Sequence, residues 1–168
     1  MKNKDILLLN QALPQLSPPE MDRWFNYAVQ ETIQRASAKA ISIREVIAPK
    51  DGMKEYQKAL KELQEEHAKK DEYNQPIREI KPIGNGKQME RYEIPELNNP
   101  NGKFNLAAKE LDLKYDKAIN EYNECLKFLD EENTDFEPYW VKVDQIPNGL
   151  TRNEMAAVFL MINKEDAE

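Results

Sequence analysis

Between residues 104 and 129 apolar side chains recur at alternating steps of four and three: Phe104, Ala108, Leu111, Tyr115, Ala118, Tyr122, Cys125 and Leu129. That spacing keeps them on one side of an α-helix, as in a heptad seam. Met53, Tyr56, Leu60, Leu63 and His67 repeat the pattern, while Lys54, Glu55, Lys58, Lys61, Glu62, Glu65 and Glu66 cover the other faces. Two seams joined by a hairpin-sized insert predict a long antiparallel helical pair. Leu106, Leu113, Ile119, Leu126 and Phe128 widen the later seam, which gives that helix apolar surface for two neighbours.

The insert, residues 72–98, has another character. Glu72-Tyr73-Asn74-Gln75-Pro76 is turn chemistry, and Gly84-Asn85-Gly86 separates Ile77–Ile83 from Lys87–Ile94. Glycine and asparagine supply the positive φ angles of a tight turn, so a β-hairpin is predicted, with Pro82 confining its first strand to an edge or to its end. The alternative is a polar loop, because Ile77, Ile80, Ile83, Met89, Tyr92 and Ile94 are few for burying two strands.

Upstream, Ser17-Pro18-Pro19-Glu20 carries helix-start signals: a capping hydroxyl, prolines for the first turn and an acid three residues on. The helix that follows presents Met21, Trp24, Phe25, Ala28, Thr32, Ala36, Ala40, Ile43 and Ile47 on one face, which places Trp24 and Phe25 in the core. Ala48-Pro49-Lys50-Asp51-Gly52 breaks it. Ile6-Leu7-Leu8-Leu9 is too short for periodicity to separate strand from helix. Phe136–Val143 is aromatic and β-branched and reads as a strand, whose natural partner is Ile6–Leu9. A short sheet is thus expected to join the N-terminal segment to residues 139–143. Tyr139, Val141 and Val143 share one face of that strand; Trp140 points the other way, either under a helix or open to a partner. Thr151 and Glu154 form a capping box for a last helix with Met155, Val158, Phe159 and Ile162 as its apolar face, leaving Leu160 and Met161 over. The expected class is α+β, mostly α, as a single domain over residues 1–168.

Composition narrows the chemistry. The chain has 168 residues and a net charge of -7, with 7 basic and 15 acidic side chains in residues 104–168. Such a surface repels phosphates, so direct nucleic-acid binding is not expected. One Cys excludes a disulfide within the chain and a Cys-based metal site, and one His excludes a multi-His site. No cofactor is expected. Ile6–Leu9 is far too short for a membrane span or a signal peptide, which points to a soluble intracellular protein. His67 and Cys125 sit on the helical seams and read as packing residues. Glu65 and Glu66 are adjacent on a helix and do not face each other, so they make no acid–base pair. Gly84-Asn85-Gly86 lacks the Lys-Ser/Thr pair of a phosphate loop.

The order of several short stretches is informative. Leu9-Asn10-Gln11-Ala12-Leu13 precedes Trp24-Phe25-Asn26-Tyr27-Ala28; then come Tyr56, Lys61-Glu62-Leu63, Lys70-Asp71-Glu72 and Tyr92-Glu93-Ile94-Pro95. Phe104, Val141-Lys142-Val143-Asp144-Gln145-Ile146-Pro147 and Leu150-Thr151 complete the series. This layout resembles a family of small bacteriophage proteins of unknown function, over nearly the whole chain. The Ala48–Gly52 break departs from the family's more continuous helix. The resemblance implies a phage or prophage origin and action in the bacterial host cytoplasm, and it carries over no catalytic residue.

A non-enzymatic accessory protein that binds a host or phage protein is the expectation, with inhibition of a host defence factor as one version. Its candidate contact residues are Trp140, the acidic Asp130, Glu131, Glu132 and Asp135, and the hairpin cations Arg78, Lys81, Lys87 and Arg91. One alternative is a virion structural or assembly protein acting as a homo-oligomer through its doubly apolar helices. Another is a nucleotide-binding protein, with aromatic rings on the base and the hairpin cations on the phosphates.

Overall fold

The computed structural model describes residues 1–16, 21–82, 88–95 and 97–163, and within them the protein is α+β and mostly helical. Helices α1 (Asn3–Ala12), α2 (Arg23–Val46) and α3 (Asp51–His67) precede strands β1 (Arg78–Pro82) and β2 (Gln88–Tyr92). Helices α4 (Lys103–Lys114), α5 (Asp116–Lys127) and α6 (Arg152–Phe159) follow. The chain gathers into two compact units, Met1–Ala48 with Glu124–Glu168, and Pro49–Asn123. No helix of the described residues is long and apolar enough to cross a membrane.

In the first unit, α1 packs on α2 and α6. Ile6, Leu9 and Leu13 meet Phe25, Ala28, Val29, Ala36 and Ile43 of α2, and Ala157, Val158 and Met161 at the C-terminal end. Alanines at 28, 36 and 40 let the helices approach closely. Asn3 is buried and fully used: its Nδ2 donates to the Phe128 carbonyl at 2.8 Å, and its Oδ1 accepts from Asn133 Nδ2 at 2.9 Å.

The Ile6–Leu9 segment is helical, so no sheet joins it to residues 139–143. The amides of the later segment are satisfied elsewhere, Tyr139 N–H on the Thr32 hydroxyl at 2.9 Å and Val141 N–H on the Met161 carbonyl at 2.9 Å. The N-terminus instead pairs with residues 131–133, where Asn3 N–H donates to the Glu131 carbonyl and Asn133 N–H to the Met1 carbonyl. Trp24 lies outside the core, whereas Phe25 is completely buried; adjacent helical residues differ by about 100°, which turns the indole off the buried stripe. The final apolar face is also different: Met161 is buried and Phe159 is 61% exposed. The helix ends at Phe159, so its periodicity does not extend to residue 161. The Thr151–Glu154 capping box is present as expected. Cys125 is half-buried. The Ser17–Glu20 helix start lies outside the described residues; α2 is capped by Asp22.

In the second unit, α3 and α4 pack antiparallel. Tyr56 meets Tyr115 at 5.9 Å between ring centroids, and His67 meets Phe104 at 5.9 Å. Gly52 lies against Ala118, where a Cβ on residue 52 would stand 3.2 Å from the alanine methyl. The expected single helix over the second seam is two, because Tyr115 leaves helical geometry at φ -107 and ψ 15. That interruption contains neither glycine nor proline, and the seam runs through it unbroken, so the sequence does not announce it. The hairpin is present: Arg78 pairs with Tyr92, Ile80 with Glu90 and Lys81 with Met89. The expected turn at Gly84–Gly86 lies outside the described residues. Lys69 N–H donates to the Glu93 carbonyl and Ile77 N–H to the Lys69 carbonyl, which ties the hairpin base to the exit of α3.

Candidate functional site

The site grows from the first turn of α2. The Asp22 carboxylate accepts from Trp24 N–H at 2.8 Å and Phe25 N–H at 3.3 Å, satisfying two amides that the helix leaves open. Trp24 and Tyr27, three residues apart, then project from the same side of the helix. They are 64% and 47% exposed. Their ring centroids lie 6.3 Å apart at 90°, and Tyr27 meets Tyr139 at 5.3 Å and 85°. These are edge-to-face contacts, in which the positive edge of one ring meets the negative face of the next. The Thr32 hydroxyl anchors the Tyr139 backbone beside α2, and the Arg35 guanidinium sits 5.8 Å from the Tyr139 ring centroid.

Two open concavities flank the indole. Arg23, Trp24, Tyr27 and Tyr139 line one of about 540 Å³. Asp22, Trp24, Asp144, Gln145, Ile146, Pro147 and Asn148 line the other, of about 510 Å³. Volumes of this size suit a small ligand or a short peptide. The surface they form combines ring faces, hydroxyls and a guanidinium on one side with the Asp22 and Asp144 carboxylates and side-chain amides on the other: it can hold a partner by stacking, hydrogen bonding and ion pairing.

No family model, curated protein or solved structure matches this chain. Among the described residues there is also no group of three or more His, Cys, Asp or Glu placed to hold a metal ion.

The residues singled out from sequence fall in separate places. Trp140 is 44% exposed. Asp130 is held by Lys4 at 2.7 Å and Lys2 at 3.6 Å. The hydrogen bond from Lys4, and then its charge, keep the Asp130 carboxyl below the usual range; the same contact raises Lys4. Glu131 and Glu132 lie in the backbone pairing with the N-terminus, and Asp135 stands 3.7 Å from Lys39. Much of the acidic run thus ties residues 130–135 to α1 and α2. The hairpin cations do not converge. Arg78 shares a face with Glu90 and Tyr92 and contacts both, whereas Lys81, paired with Glu79, and Arg91 lie on the opposite face. Lys87 lies outside the described residues.

Sequence reasoning missed Trp24, Tyr27, Tyr139, Arg23 and Arg35 as a group. A signal was present in part: Trp24 sits off the centre of the Phe25–Ile43 stripe, and Tyr27 follows it at a helical spacing. The arrival of Tyr139 carried no signal, because it depends on the distant Thr32 hydroxyl.

Proposed function

We propose that this protein works by binding another protein and catalyses no reaction. The observation that carries this reading is the Trp24–Tyr27–Tyr139 cluster, in which Trp24 and Tyr27 face water and Tyr139 is half-buried against the core beneath them. Exposed aromatic patches of this kind mark contact surfaces, and Trp, Tyr and Arg dominate the energetics of interfaces. The resemblance to bacteriophage proteins supplies the setting: a phage or prophage product in the host cytoplasm, with a host or phage protein as partner. Inhibition of a host defence factor is one form this binding takes.

The test is a pull-down from bacterial lysate with the wild-type chain, Trp24→Ala and Trp140→Ala. A protein retained by the wild type and by Trp140→Ala, but not by Trp24→Ala, is the expected result. Retention that ignores Trp24 means that the cluster is not the contact surface, and an empty pull-down overturns the reading.

A second reading, self-association in a virion or assembly role, has its own observation. Leu106 and Leu113, seven residues apart on α4, are 48% and 78% exposed, and α3, α4 and α5 contain no fully buried residue. A dimer or larger mass by light scattering, returned to monomer by Leu113→Ser, is the result that favours it.

A further inference from the structure

We infer that the occupant of the paired concavities around Trp24 is a proline-rich peptide segment with a basic residue beside it. The inference rests on the aromatic cluster being the contact surface. Among the described residues, every polar side chain lining the first concavity is able to donate: the Trp24 indole N–H, the Tyr27 and Tyr139 hydroxyls and the Arg23 guanidinium. None of these has a hydrogen-bond partner among the described residues. The matching ligand is apolar, rich in acceptors and poor in donors. Proline-rich chain in the polyproline II conformation fits that description, because its carbonyls have no internal partners and its prolines carry no N–H. The apolar pyrrolidine rings pack against aromatic faces, and the conformation is already ordered before binding, so little entropy is lost.

The second concavity supplies the polarity. It shares the Trp24 indole and is lined by Asp144, an exposed carboxylate with no ion-pair partner among the described residues. Gln145 lies beside it, its side-chain oxygen taken by the Lys142 amide at 2.9 Å. An Arg or Lys next to the proline segment meets that carboxylate as its complement. A nucleotide is the poorer occupant. Among the described residues lining the concavities, its phosphates would find one unpaired cation, Arg23 in the first; Asp144 repels them, and Arg35 is already placed over Tyr139 and 3.9 Å from Glu31.

The experiment is fluorescence anisotropy of a labelled short peptide containing Pro-x-x-Pro and one flanking arginine, titrated with the full chain. Saturable binding is expected, weakened about tenfold or more by Trp24→Ala, as for an aromatic hot spot. Asp144→Asn, and separately a peptide with glutamate in place of arginine, are expected to weaken it several-fold. A peptide with alanine at the proline positions is expected not to bind, and Phe159→Ala to bind like the wild type. Absence of saturable binding, or binding that Trp24→Ala leaves unchanged, overturns the inference. So does a labelled ATP that binds in a Trp24-dependent way while the peptide does not. If the peptide fails and Trp24-dependent capture from lysate persists, only the peptide class is lost. If both fail, the contact surface itself is wrong.

Discussion

Thr32 is the residue on which the core and the candidate site both depend. It is completely buried in α2, and its hydroxyl accepts the Tyr139 N–H at 2.9 Å. Valine has nearly the same shape and no acceptor. Thr32→Val therefore leaves that amide without its partner, which costs about 1–3 kcal/mol. Thr32→Ser keeps the oxygen and removes one methyl, for a loss of about 1 kcal/mol once the small cavity is included. The expected order of stability is wild type, then serine, then valine. Urea unfolding followed by tryptophan emission is the assay, because Trp24 and Trp140 both belong to the first unit. The comparison is made at constant m-value, so that midpoint shifts report stability. The same two variants separate at the groove: valine frees Tyr139 from α2 and weakens peptide binding, while serine preserves it. A valine variant as stable as the wild type, or less damaged than the serine variant, would refute the claim that this hydrogen bond positions Tyr139.

Other consequences follow from burial and charge. Met161→Ala is expected to cost about 2–5 kcal/mol, and Phe159→Ala less than about 0.5 kcal/mol, since the first is enclosed and the second faces water; denaturant midpoints distinguish this order from its reverse. Gly149 has φ +86, so Gly149→Ala is expected to destabilise by about 1–2 kcal/mol, although a new Cβ there meets nothing within 4 Å; an unchanged midpoint argues against backbone strain as the cause. Burial, and then the hydrogen bond to Asp112 at 2.8 Å, push the Tyr56 phenol up to about 12. Its folded value lies above the unfolded one of about 10, so its contribution to stability is complete below the unfolded value and disappears as pH rises towards the folded one. An ultraviolet titration is expected to show late tyrosine ionisation that Tyr56→Phe reduces, Tyr92 remaining raised by its hydrogen bond to Glu65.

The helical pair and the hairpin were legible because each rests on a short-range rule. Steps of three and four select one helical face, so spacing alone was enough to set the Tyr56–Leu63 and Phe104–Leu111 seams against each other. The Thr151–Glu154 cap is local in the same way. The failures share a different cause. Four apolar residues at Ile6–Leu9 are compatible with strand or helix, and Tyr139-Trp140-Val141 has β propensity yet forms no strand. Its amides found the Thr32 hydroxyl and the Met161 carbonyl, partners more than a hundred and twenty residues from one another along the chain.

What the sequence determined by itself is thus the set of elements whose signals span one or two turns: the α3 and α4–α5 seams, the break after α2, the β-hairpin and the α6 cap. What only the tertiary structure decided is which apolar residues those elements leave outside. Trp24 and Phe25 are neighbours with similar hydrophobicity, and about 100° of helical rotation puts one in the core and the other in water. The candidate site was decided at that same level, because Tyr139 reaches Tyr27 only through a buried hydroxyl on another element. Periodicity records which way a side chain points along its own helix; it carries no record of what arrives from the rest of the chain to meet it.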